Sequence, residues 1–303
     1  MGRSQINWRL YNKALKDRGK ITFWFSKDVA KSWYSKEKTG SRGASYTYSQ
    51  AAVDTLSMIR FKFGLTLRET QGFAESLAEL MNLSIRIPDY TTLSRRLAAA
   101  HDDIAAKLSK GKSVHVVVDS TGLKVFGEGE WKVRQHGYSK RRTWMKLHLA
   151  VNEADSQILS VLLTTNSFKD NEVFGDLMDQ VPADVHQATG DGAYDAKNCW
   201  NWTEKNKVCG VFPPKKNAKI QVHGNTDIKA SQRDKLLRLR RKVGKKMWKK
   251  KTKYSRRSIA ETAMFRFKTL LGQNLSSRWI ANQIAEATIK CKILNMMPTP
   301  AAL

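Results

Sequence analysis

Residues 113–120, SVHVVVDS, constrain the fold more than any other stretch of the chain. A short β-branched run ending in an acid is typical of a central strand of a sheet. The run closes on an acid, Asp119, which is expected to end the strand on the side where open α/β sheets carry their sites. Downstream, TWMKLHLAV and QILSVLLTT flank the turn NEADS and read as a hairpin. A helix over DNEVFGDLMDQV, a strand over VHQATGD, a helix from about Ala196 and a strand over VCGVFPP follow. Three strands, then alternating helices and strands, then a last helix predict a mixed sheet flanked by helices.

By analogy of element order, this is an α/β domain of ribonuclease H-like type, placed at residues 111–272 with a basic insertion at about 213–253. The chain ahead of it has a different texture. Residues 1–48 mix basic and aromatic positions (Trp8, Trp24, Trp33), end in the turn-rich SKEKTGSRGASYTYS and read as an appended arm. From 49 to 110 the pattern is helical: SQAAVDTLSMIRFKF stops at Gly64, TLRE has the form of a capping box, and Asp89 is a good N-cap for YTTLSRRLAAAHDDIAAKL. That third helix opens with Tyr90, Thr91, Thr92, Ser94, Arg95 and Arg96, so the trio resembles a helix-turn-helix whose recognition helix comes last. An ordinary helical subdomain with solvated arginines would show the same pattern. Residues 273–303 add a C-terminal helix and tail.

Charge favours the DNA reading. Lys and Arg number 54 against 27 Asp and Glu, a net +27, and such an excess is drawn to a polyanion because neutralised phosphates release condensed counterions. Residues 233–257 alone hold 14 basic residues and one acid, Asp234; with Trp248 among them they read as an insertion or loop tracking a phosphate backbone through Lys245, Lys246, Lys249, Lys250, Lys251 and Lys253. No run approaches the ~20 apolar residues of a membrane span, and MGRSQINWRL has no apolar signal core. A soluble cytoplasmic protein is expected, with Cys199, Cys209 and Cys291 as reduced structural thiols and no zinc site.

Three carboxylates fall where this topology brings chain ends together: Asp119 after the first strand, Asp191 after the fourth, and Glu261 on the last helix of the domain. Oxygen ligands suit Mg²⁺ or Mn²⁺, and two such ions roughly 3.5 to 4 Å apart activate an attacking oxygen while stabilising a leaving one. Singly, Asp119 and Asp191 could equally be turn residues. In YSRRSIAETAMFRFK, Tyr254, Arg257, Glu261 and Lys268 share one helical face beside an apolar stripe. Arg257 and Glu261 could be a plain surface ion pair, contributing a few tenths of a kcal/mol. Alternatively the cations hold phosphate while Glu261 binds metal.

The order Tyr254, Arg257, Glu261, Lys268 resembles the glutamate motif of bacterial insertion-sequence DDE transposases. VVVDSTGLKVFGEGEWKVRQHG, DGAYD and YSRRSIAETAMFRFKTLLG together look like the insertion-sequence-five group, and the likeness extends to LTLRETQGF and PDYTTLSRR. The resemblance implies Asp119, Asp191 and Glu261 as the catalytic, metal-holding triad with two Mg²⁺ or Mn²⁺ ions, and Asp195 as a structural residue or cap. It implies a homodimer or higher oligomer on double-stranded DNA in the bacterial nucleoid, acting on terminal inverted repeats and target. Cleavage giving a 3′-hydroxyl would be followed by attack of that hydroxyl on the target. Near the cut, Lys132, Arg134, His136, Lys140, Arg141 and Arg142 could line the DNA, and Trp131 could stack on an unpaired base. The rivals are a catalytically silent DNA-binding regulator derived from a transposase, which three intact acids disfavour, and a nuclease that only hydrolyses.

Overall fold

The computed structural model describes residues 7–36, 45–99, 113–125, 144–215, 217–223 and 229–297. In chain order the helices are α1 (Trp8–Asp17), α2 (Ile21–Trp24), α3 (Lys27–Lys31), α4 (Gln50–Phe63), α5 (Leu67–Leu80), α6 (Tyr90–Arg96), α7 (Phe174–Asp179), α8 (Lys197–Lys205), α9 (Gln232–Lys251), α10 (Ser258–Leu271) and α11 (Ile280–Met296). The strands are β1 (Val114–Val125), β2 (Trp144–Asn152), β3 (Ile158–Thr165), β4 (Val185–Thr189), β5 (Cys209–Val211) and the two-residue β6 (Asn274–Leu275). The chain divides into two compact units: one is Ala105–Lys268, and the other joins Met1–Ile104 to Thr269–Leu303. The C-terminal helix therefore belongs with the N-terminal helices. No helix among the described residues is long and apolar enough to cross a membrane.

The unit Ala105–Lys268 is a mixed sheet in the order β3-β2-β1-β4-β5. The pairs β1–β2 and β2–β3 are antiparallel, while β1–β4 and β4–β5 are parallel. Val116, Val117 and Val118 are all fully buried, so β1 is covered on both faces. On one face Val114, Val116 and Val118 join Ala150, Phe174 and Leu177 of β2 and α7, with Trp200 of α8, in one core cluster. The edge strand β5 is closed by a side chain. Gln232 accepts from Gly210 N–H at 3.0 Å and donates to Val208 O at 2.9 Å, meeting the backbone groups that would otherwise invite another strand.

The lysine-rich stretch, read from charge as an insertion or loop, is the helix α9. Ser231 caps it, and buried Asp234 accepts from the backbone N–H of Gln221 and Val222. Gly244 breaks it with φ 75° and ψ 163°, a conformation that only glycine adopts readily. Ahead of the break, arginines hold the preceding segment by its carbonyls: Arg233 donates to Lys219 O, Arg238 to Val222 O, Arg240 to Pro214 O and Arg241 to Ala218 O. Beyond it the anchor is Trp248, buried and packed against the ring of Tyr254.

In the helical unit the local signals act as expected. Thr66 and Glu69 make both bonds of the capping box, Gly64 ends α4 with φ 68°, and Asp89 accepts from Thr91 N–H at 2.8 Å at the start of α6. A buried ion pair sits in α11: Glu286 and Lys290 meet at 2.9 Å with side chains 0% and 5% exposed. Glu286 also accepts from Ser276 and Ser277 N–H, and Lys290 donates to Asn274 O. Burial would push the Glu286 carboxyl up, but Lys290 and the serine donors outweigh it and hold the group below its ordinary range. Removing one partner of such a pair leaves the other charge buried alone. Lys290→Met should therefore cost about 3–5 kcal/mol in urea unfolding, and adding Glu286→Gln should recover much of that loss.

Candidate active site

Strand register brings the first two acids together. In the parallel pair β1–β4, Val117 stands opposite Thr189, and a step of two residues along each chain reaches Asp119 and Asp191. Asp119 does not end its strand as expected. It lies inside β1, because pairing with β2 runs on to Lys124↔Trp144 after β4 has stopped at Thr189. The turn that carries Asp191 is fixed by packing. A Cβ at Gly190 would fall 2.5 Å from the Tyr194 ring and 3.0 Å from Val118, so glycine lets the buried ring close over the backbone. Asp191 itself accepts from Ala193 N–H at 2.8 Å.

The third acid reaches the others through a cation. Tyr254–Arg257 is a 3₁₀ turn that leads into α10, and α10 buries Ala260, Ala263, Met264 and Phe267 while leaving Glu261 exposed. From the end of the turn the Arg257 guanidinium approaches Asp119 Oδ2 at 3.4 Å with one nitrogen and donates to Glu261 Oε1 with another. The Arg257–Glu261 pair that the spacing allowed is present, but it is not merely a surface pair, since the same group spans to a strand 138 residues earlier. Burial pushes the Asp119 carboxyl up; Ser120 N–H and Arg257 oppose this, and the charges of Asp191 and Glu261 add to it. The Tyr254 hydroxyl is likewise pushed up by burial and by Asp191 and Glu261, while Arg257 counters. Tyr254, Arg257 and the three acids thus form one electrostatic neighbourhood. Lys268 has no hydrogen bond or ion pair to the acids.

Among the described residues, no three His, Cys, Asp or Glu side chains converge as they stand on a common ligating point. The cation shared by Asp119 and Glu261 in this structure is Arg257. The donor set still fits a hard divalent ion: three carboxylates carry three negative charges against one guanidinium, in a chain of net +27. Asp195 has another task. Its buried carboxylate accepts from Trp200 Nε1 at 2.9 Å, Arg233 Nε at 2.8 Å and Lys215 N–H at 3.2 Å, tying α8 to α9. Burial raises its pKa, but these donors prevail and hold it below the usual value.

The DNA-facing expectations divide. On α6, Thr91, Ser94 and Arg95 are exposed, and Tyr90 and Thr92 half-buried. Arg96 turns back into the unit, donating to Tyr48 O and to Gln50 Oε1 and stacking 4.4 Å over Tyr46, so its fork is already engaged. Lys246, Lys249, Lys250 and Lys253 line a cleft of about 540 Å³ with Ser255, Arg256 and Glu153. Lys245 and Lys251 are also exposed. Trp131, Lys132, Arg134, His136, Lys140, Arg141 and Arg142 lie outside the described residues.

Two features had no signal in residue spacing. One is the pairing of Arg256 with Glu153 in the β2–β3 turn, 103 residues away. The other is a polar cluster near Tyr194. Lys146 meets Asp170 at 3.0 Å, and buried His148, held down to about pKa 4 by burial, lies 3.9 Å from the same carboxylate.

Two family models, each described as Transposase DDE domain, match the chain, one over residues 16–128 and the other over residues 110–296. A solved structure, piggyBac transposase in a synaptic complex with hairpin DNA, aligns with 93% of this chain and 74% of its own at 12% identity and TM-score 0.39.

Asp191 and Asp195, four residues apart in one motif, should separate in their effects. Asp195→Asn removes the charge opposite Arg233 and is expected to lower stability by about 3–5 kcal/mol, read by urea unfolding, whereas Asp191→Asn leaves stability near that of the parent. Because the folded Asp195 pKa is depressed, its contribution is present above the unfolded carboxylate pKa and is lost as pH falls through the folded value. The parent should therefore unfold in acid more steeply than Asp195→Asn.

Proposed function

The chain belongs to the transposase DDE-domain family, and from that membership we propose that it binds the terminal inverted repeats of an insertion sequence and catalyses cleavage and strand transfer. The observation that carries this reading is the β1–β4 register, which sets Asp119 beside Asp191, with Glu261 joined to Asp119 through Arg257. The strand order β3-β2-β1-β4-β5, antiparallel on one side of β1 and parallel on the other, supports a ribonuclease H-like catalytic domain. The three motifs favour the insertion-sequence-five group within the family.

Asp119, Asp191 and Glu261 would hold Mg²⁺ or Mn²⁺, two ions in the full site. When bound, the metal activates the attacking oxygen and stabilises the leaving one at the scissile phosphate. The chain's own residues position the DNA. Arg257, with Lys268 further along the helix, offsets phosphate charge on one side of the acids. Tyr254 packs against Trp248 and lies under Lys249, joining the acids' turn to the lysine cleft. The exposed face of α6, with Arg95 in place of Arg96, would read base edges in the terminal repeat, as in a helix-turn-helix. A homodimer or larger assembly would bring two ends together in the cytoplasm, on the nucleoid.

A silent DNA-binding regulator of transposase descent is the competing reading, and one experiment separates them. Purified protein with a labelled repeat end, Mg²⁺ and target plasmid should yield joined product; cleaved ends without joining would indicate a nuclease, and retarded but intact DNA a silent binder. In the same assay Glu261→Gln, Asp119→Asn and Asp191→Asn should bind the end normally and lose cleavage and joining by orders of magnitude, with double variants little worse than singles. Near-normal joining by Glu261→Gln would remove Glu261 from the chemistry.

The lysine-rich end of α9 gives a second expectation. Replacing Lys249, Lys250 and Lys251 together with Gln should weaken binding to repeat and random DNA alike and flatten the slope of log affinity against log salt, by roughly 0.9 for each phosphate that is no longer neutralised. An unchanged slope would mean that these lysines are simply solvated.

A further inference from the structure

Arg257 occupies a position with two consequences. Its guanidinium lies on Asp119 Oδ2 and Glu261 Oε1, which are carboxylate oxygens that a metal held by these two acids would need. Mg²⁺ requires its oxygens at about 2.0–2.1 Å in near-octahedral order, and an oxygen already accepting from a guanidinium faces a positive charge along that approach. We propose that Arg257 is the metal-free counter-ion of Asp119 and Glu261, so that a divalent cation and the guanidinium compete for the same carboxylates, and loading the metal releases Arg257 to a DNA phosphate. This rests on the reading of the three acids as metal ligands.

The local structure suits an exchange of side chain without movement of the turn. Arg256, the preceding residue, is fixed to the β2–β3 turn by bonds to both the carboxylate and the backbone carbonyl of Glu153. Tyr254 at the other end of the turn packs on buried Trp248. With the backbone held at both ends, only the rotamers of Arg257 need change. Two contacts must be broken; in the one to Glu261 the Arg stands four residues before its Glu, the less favourable order for such a pair, and Glu261 is 52% exposed. Among the described residues no other Lys or Arg pairs with Asp119 or Glu261, so the departing guanidinium leaves a concentrated negative charge that a divalent ion suits better than a monovalent one. Coupling is reciprocal by linkage: if metal frees Arg257 for phosphate, phosphate that captures Arg257 must tighten metal binding by the same factor.

The test is Mn²⁺ binding to the full chain, measured by electron paramagnetic resonance, with and without a duplex carrying the repeat end and with the signal from DNA alone subtracted. Without DNA, Arg257→Gln should bind Mn²⁺ about five- to tenfold more tightly than the parent, and Arg257→Lys, which keeps a charge but cannot bridge two carboxylates, should fall between them. Adding the duplex should tighten Mn²⁺ binding by the parent more than by Arg257→Gln, in which only the phosphate oxygens at the ion itself contribute. Thermal melting identifies which variants are folded; equal or weaker Mn²⁺ affinity in a folded Arg257→Gln or Arg257→Lys protein would overturn the proposal. Asp119→Asn and Glu261→Gln serve as the separate check. If they bind Mn²⁺ as the parent does, the metal-ligand reading of the acids itself has failed, whereas their loss of Mn²⁺ without any gain in the Arg257 variants defeats only the competition.

Discussion

The parallel register of β1 and β4 is the constraint on which the rest of the candidate site depends. Two strands hydrogen-bonded side by side fix their side chains to within a residue, and a slip by one would send every side chain to the opposite face. With Val117 opposite Thr189 and the turn at Gly190 closed under the Tyr194 ring, Asp119 and Asp191 are neighbours. The apolar residues of β1 enforce that register, because Val116 and Val118 belong to the core beneath α7 and α8. A buried core thus fixes the separation of two charges that would otherwise repel. Glu261 is held differently, on a helix whose opposite stripe is buried and whose acid stays exposed.

The basic residues divide their work by chemistry. Arginines of α9 before Gly244 spend their planar forks on backbone carbonyls and on Asp195, where several donors in fixed geometry match several acceptors. Lysines after Gly244 stay at the surface and line the cleft with Arg256. A flexible ammonium is a point charge that follows a phosphate wherever it lies, so it suits a backbone read without regard to sequence. The charge run that looks uniform in the sequence is an internal scaffold followed by an external surface, with the glycine break between them.

Local chemistry was legible and long-range chemistry was not. The capping box at Thr66, the N-cap at Asp89, the stop at Gly64 and the central strand β1 each depend on residues close in sequence, and each appears where the residues put it. The three acids could be nominated from element order and family likeness. Asp119 was misplaced at a strand end because only the partner strand, β2, carries β1 onward to Val125. Arg96 looked like its neighbour Arg95 because nothing nearby announces Tyr46, Tyr48 and Gln50 as its partners, some 46 to 50 residues away. The Arg256–Glu153 tie and the group of Lys146, His148 and Asp170 are invisible for the same reason.

Where local preference and final structure disagree most is also where the acids are. Aspartate is disfavoured inside strands, and a half-buried carboxylate whose pKa is pushed up by burial and by two other acids is not a choice that stability alone would make. Asp195 is the contrast: also an aspartate, buried and only four residues from Asp191, it is surrounded by donors that lower its pKa, so its charge works for the fold. Natural sequences are consistent across levels except at sites of function, where strain is kept and offset elsewhere. On that criterion the two carboxylates of one short motif part company: Asp195, satisfied by its donors, is architecture, while Asp191, which burdens its strand neighbour Asp119, is the one we propose for the chemistry.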